Sequence, residues 1–115
     1  MNLEDFFDIL EIAASKYLWK LRIPAKTDNA VKARIQISDN IYVQFYFHQI
    51  SGTTNYVLVG WNNRLYGRDC IGGSWHRHPF ENPQTHDITD EGTKTVTPEE
   101  FLDEVVELLL KEELL

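Results

Sequence analysis

The chain has 115 residues, 43% of them hydrophobic and 12% aromatic, and a formal net charge of −7. A chain of this length holds one domain, residues 1–115, with a core of its own, and the composition excludes a disordered polymer. The single cysteine, Cys70, excludes an internal disulfide, and no apolar run approaches the roughly 20 residues that span a bilayer.

The first predicted element is a helix. Leu3, Phe6, Phe7, Leu10, Ala14, Tyr17, Leu18 and Leu21 recur at helical spacing, Asn2 suits the N-cap, and Pro24 lies just beyond the end. Residues 31–37 alternate as a half-buried strand, with Val31, Ala33, Ile35 and Ile37 on one face and Lys32, Arg34 and Gln36 on the other. Ser38-Asp39-Asn40 turns the chain into a second strand, 41–50. It directs Ile41, Val43, Phe45 and Phe47 to the core and Tyr42, Gln44, Tyr46 and His48 to the opposite face.

A third strand, 55–61, meets a fourth, 64–69, through an Asn62-Asn63 turn. That turn pairs Trp61 with Arg64, Val59 with Tyr66 and Val57 with Arg68. Residues 70–96 read as an irregular loop. Thr97-Pro98-Glu99-Glu100 then opens a last helix with a capping box and a proline at its first position. The expected fold is α+β: a four-stranded antiparallel meander with the N- and C-terminal helices packed on one face, α-β-β-β-β-α.

Charge is unevenly distributed. Residues 1–11 carry −4, residues 12–86 carry +5 and residues 87–115 carry −8. The acidic, soluble body therefore leaves room for a basic working surface. The sheet face away from the helices is the expected surface: Lys32, Arg34, Tyr46 and His48, joined by Arg64, Tyr66 and Arg68 where the second hairpin faces the same way. Cations interleaved with aromatics grip phosphates and stack on unpaired bases, so RNA is the expected partner. Ordinary polar alternation on a solvated strand face is the competing explanation.

The loop holds the densest chemistry: Arg68, Asp69, His76, Arg77, His78 and His86. Histidine exchanges protons near neutral pH. Metal-independent RNA cleavage needs a base for the 2′-hydroxyl, an acid for the leaving 5′-oxygen and cations for the phosphorane. His78 and His86 are the expected proton-transfer pair, with His76 and Arg77 in support, Arg68 and Arg34 on phosphate, and Asp69 orienting a histidine or holding an arginine. No cofactor is required. A zinc site of His76, His78 and His86 is an alternative of different chemistry. Cys70 reads as a small core thiol rather than a nucleophile. A non-enzymatic interaction module, or a homodimer, is a further alternative, because Leu108, Leu109, Leu110, Leu114 and Leu115 exceed what one buried stripe needs.

The aromatic strand Tyr42–His48, the Arg-x-Tyr-Gly-Arg-Asp stretch of Arg64–Asp69 and the His-Arg-His-Pro…Pro-x-x-His loop of His76–His86 resemble the TumE-type toxins of prokaryotic toxin–antitoxin systems. The resemblance covers roughly residues 30–90. It implies a small toxin acting on RNA, neutralised by a cognate antitoxin, with Arg68, Asp69, His76, His78 and His86 as its site; the lone cysteine fits a reducing, cytoplasmic location. The chain departs from that pattern in the longer spacing around Trp75–Pro79 and in its acidic C-terminal helix. Binding without cutting therefore stays open.

Overall fold

In the computed structural model, which describes residues 1–115, Asn2 caps the first helix, α1 (Leu3–Lys16), by accepting a hydrogen bond from the Asp5 amide. The helix stops earlier than its periodicity predicts. Leu18 takes a left-handed conformation (φ 58°), and residues Lys20–Lys26 form an edge strand, β1. Leu21 continues the apolar stripe as a strand residue, opposite Ile35. Pro24 is tolerated in β1 because an edge strand has one unpaired side.

Five more strands follow: β2 (Ala30–Gln36), β3 (Ile41–His48), β4 (Thr54–Gly60), β5 (Asn63–Ile71) and β6 (Ser74–His78). They pair in chain order as one antiparallel sheet of six strands, not four. Both additional strands were hidden at positions with a readable cause. β1 resembles the end of a helix in its apolar spacing. β6 follows Gly72-Gly73, both at positive φ, which form a two-residue hairpin turn and not merely a break. A short helix, α2 (Asp90–Thr93), and α3 (Pro98–Lys111) complete the chain. The capping box of α3 is present as expected, with Thr97 and Glu100 exchanging backbone-to-side-chain bonds of 2.9 and 3.2 Å.

The core lies between one sheet face and the helix pair. Phe6 of α1 stacks on Phe47, and Phe101 of α3 meets Phe45, Tyr56 and Tyr66. The alternation of β2 and β3 is as expected, with Val31, Ala33, Ile35, Ile41, Val43, Phe45 and Phe47 all buried.

The β4–β5 hairpin departs from expectation by one residue. Trp61 and Asn62, both at positive φ, form its turn, so Gly60 opposes Asn63. A bulge then sets Leu58 against Tyr66 and Tyr56 against Arg68. A slip of one residue exchanges the two faces of a strand. Tyr66 and Arg68, expected on the open face, therefore point under the helices, and Gly67 and Asp69 take their place. Trp61 in the turn is held in a conformation that costs a bulky residue about 1–3 kcal/mol. Tyr66 becomes buried against Phe101, and Arg68, 1% exposed, meets Glu104 through two bonds of 2.9 Å. Its remaining donors reach the Glu91 carbonyl at 2.9 Å and carboxylate at 3.4 Å. The Tyr66 hydroxyl donates to Glu104, and burial beside that carboxylate pushes the phenol up to about 12.

Removing one member of a buried ion pair leaves the other charge uncompensated. Glu104→Ala is expected to destabilise the fold by about 3 kcal/mol in urea denaturation at pH 7, and Glu104→Gln, which retains an acceptor, by less. Equal, sub-kilocalorie effects of both would show that the pair does not anchor α3.

Candidate functional site

The expected site residues divide between the two faces of the sheet. Arg68, Tyr66 and Arg77 lie on the helix-covered face. Arg77 opposes Arg68 across β5–β6, and its Nε donates to Asp87 at 2.8 Å. None of the three stands on the open face: Arg68 binds the helices to the sheet, Tyr66 packs beneath them, and Arg77 anchors the following loop. The cleft beside Tyr66, about 300 Å³, is lined by Glu81, Glu91, Glu104 and Glu107 against Arg77 and Lys111, an excess of acid that disfavours a phosphate.

The open face collects the others. Two ladder rows cross it from β2 to β6. One runs Lys32, Tyr46, Asn55, Asp69 and His76, and the other Arg34, Gln44, Val57, Gly67 and His78. Arg64 opposes Val59 at the far end of β5 and is exposed. Arg34 is held in place: its guanidinium lies 4.1 Å from the Tyr42 ring centre, and one amino group donates to Gln44 at 3.1 Å. His48 serves the β3–β4 turn, its Nδ1 accepting the Ile50 and Ser51 amides at 3.3 and 3.2 Å.

The histidine cluster sits at the β6 end of this face. A backbone bridge between Arg77 and Asp87 returns the loop antiparallel to β6, which sets His86 across from His78. Their rings meet edge to face at 4.7 Å, and the His76 ring lies 5.4 Å from that of His86. Gly67 leaves the space into which His78 leans, since a Cβ there would lie 3.0 Å from the Tyr56 carbonyl and 3.8 Å from the His78 Cβ.

His78 is 5% exposed and both its nitrogens are occupied. Nδ1 is 3.1 Å from the Pro83 carbonyl and Nε2 is 3.1 Å from Asp69 Oδ2. A carbonyl only accepts, so Nδ1 donates. The second contact then requires a proton held either on Nε2 or on the carboxyl. His78, expected as half of the proton-transfer pair, is thus buried and bonded through both nitrogens, between the loop and the sheet. His76 and His86 are the solvent-accessible pair. Asp69, 8% exposed, directs its other oxygen, Oδ1, towards His76 Nδ1 at 3.6 Å, and that oxygen accepts no hydrogen bond.

The three histidines do not converge as metal ligands, and no group of three or more His, Cys, Asp or Glu side chains has the arrangement to hold an ion. Cys70 is buried, and burial raises its thiol above the ordinary range, which suits core packing. Lys20 and Arg22 on β1 also belong to the open face, because they oppose Gln36 and Arg34. Sequence reasoning missed them by extending the first helix through this segment. Comparison with protein-family models, with curated proteins and with solved structures finds no match.

Deleting His78 strands the Asp69 carboxylate in a buried position, whereas His86 is exposed. His78→Ala should cost about 1–3 kcal/mol in urea denaturation, and His86→Ala less than about 0.5 kcal/mol. Equal losses would contradict the division between scaffold and exposed histidine.

Asp87 accepts bonds from the Thr89 hydroxyl and amide and from Arg77, which together lower its carboxyl to about 2. A depressed folded value means the carboxylate's contribution is complete above the unfolded value near 3.8 and is lost as the pH falls through about 2. Carboxyl NMR titration should give a midpoint near 2 for Asp87. A midpoint near 3.8 would show that the clamp on the loop is open in solution.

Proposed function

We propose that this protein is an RNA-directed domain of the TumE-toxin kind, which lays single-stranded RNA across the open sheet face and cleaves it without a metal ion at His76 and His86. The observation that carries this reading is the charge of the sheet. The open face carries five basic residues, Lys20, Arg22, Lys32, Arg34 and Arg64, against one carboxylate, Asp69, and that carboxylate is engaged by histidines. A basic face with a single carboxylate, on a chain of net charge −7, is the feature a polyanion selects. Tyr46 offers a ring for stacking in the same ladder row as His76.

In the proposed reaction one of the exposed histidines accepts the 2′-hydroxyl proton as that oxygen attacks phosphorus. The bond from phosphorus to the 5′-oxygen breaks, and the other histidine donates a proton to the departing oxygen. A 2′,3′-cyclic phosphate and a 5′-hydroxyl result, with no net change in protons. Asp69 orients His76, and no arginine borders the cluster on this face, so imidazolium supplies the positive charge for the phosphorane. The toxin reading carries with it a cognate antitoxin as partner and a cytoplasmic site of action.

Incubation with single-stranded RNA in EDTA is expected to yield cyclic-phosphate products. His76→Ala and His86→Ala should each slow cleavage by about 10²–10⁴-fold. Absence of cleavage by the wild type, or undiminished cleavage by both variants, would overturn the catalytic reading.

A further inference from the structure

We infer that the β1–β2 end of the open face is a phosphate-binding subsite for single-stranded RNA, built by Arg22 and Arg34 with Lys20 and Lys32 beside them. The inference rests on the reading of the open face as an RNA surface and adds two residues and the span of a stacked ligand to it.

Arg22 and Arg34 are register partners on adjacent strands, so their Cβ atoms lie about 5 Å apart on one face. Like charges placed directly opposite destabilise a sheet. Lys20 and Lys32 flank the pair, opposite Gln36 and Ala25. None of these four cations has a carboxylate within ion-pair distance, although the chain carries 18 acidic residues. The contrast with the covered face is direct: there Arg68 has Glu104 and Glu91, and Arg77 has Asp87. The carboxylates thus neutralise sheet cations beneath the helices and leave those of β1 and β2 unneutralised.

Arg34 is also prepared for its role before any ligand arrives. Tyr42 and Gln44 fix its guanidinium plane, and its Nε is buried without an acceptor. A planar guanidinium held still, beside a second one free to move, suits a tetrahedral oxyanion. A phosphodiester satisfies both the charge and the donors.

The distance to the histidines sets the ligand's size. Four inter-strand steps separate β2 from β6, about 19 Å at roughly 4.8 Å per step. At about 3.4 Å per stacked residue, a strand touching both ends has about six nucleotides. A mononucleotide cannot occupy the subsite and the histidine cluster together.

Binding of a fluorescent ten-nucleotide single-stranded RNA, followed by anisotropy at several salt concentrations, tests the subsite. The measurement uses the His76→Ala/His86→Ala background so that cutting does not interfere. Each lost phosphate contact lowers the slope of log affinity against log salt by about 0.7. Arg22→Ala is expected to lower it by about that amount, the Arg22→Ala/Arg34→Ala pair by about 1.4, and Lys111→Ala on the last helix by nothing. Because Arg22 is exposed, its variant folds irrespective of what the Arg34 change does. An unchanged slope in Arg22→Ala, a slope lowered equally by Lys111→Ala, or no binding at all overturns the subsite. Cleavage by the protein with an unchanged slope in Arg22→Ala would remove the subsite and leave the histidine chemistry standing. A lowered slope with no cleavage would do the reverse.

Discussion

Arg68 is fully charged and almost wholly buried, so the fold has to bring a carboxylate to it, and Glu104 of α3 is that carboxylate. The pairing requires Arg68 to face the helices. Because strand side chains alternate, Asp69 must then face the other way. From that one constraint follow the position of Asp69 beside His76 and His78, the bulge in the β4–β5 pairing, and the burial of Tyr66. Structural and chemical roles are thus assigned to adjacent residues by the parity of a single strand.

The same parity separates the charges of the sheet. Beneath the helices, basic side chains are neutralised by carboxylates of α2, α3 and the loop that follows β6. On the open face Lys20, Arg22, Lys32 and Arg34 are not, although the protein as a whole is acidic. The histidine cluster closes one end of that surface and the Arg22–Arg34 pair the other. A loop that would otherwise be free is fixed over the cluster by two devices: the Arg77–Asp87 bridge and the hydrogen bond between His78 and the Pro83 carbonyl. His86 reaches the cluster because of them, and its own ring contributes only contact with its neighbours.

Much of this was legible in the residues. The alternation of β2 and β3 and the capping box of α3 are local patterns, and local patterns survive folding. What failed was also local in origin. The apolar spacing through Tyr17, Leu18 and Leu21 fits a helix, and only the left-handed Leu18 and the pairing of Leu21 with Ile35 reveal a strand. Gly72-Gly73 carried a hairpin signal that was readable as such, and with it β6. The Asn62-Asn63 turn was a reasonable choice on side-chain preference, since asparagine accepts positive φ more easily than tryptophan does. The faces of Tyr66 and Arg68 are set beyond the turn, by a bulge between Leu58 and Val59 that no turn preference announces.

By itself, the sequence determined that the chain folds as an α+β domain with helices at both ends, that its basic residues concentrate in the middle, and that three histidines gather on one stretch. Those properties depend on composition and on neighbours a few residues apart. Only the tertiary structure decided which histidines meet solvent, which arginines are neutralised and which face each strand residue takes. These depend on a carboxylate 36 positions away from Arg68 and on the register of one hairpin, and neither is encoded in any short window of the chain.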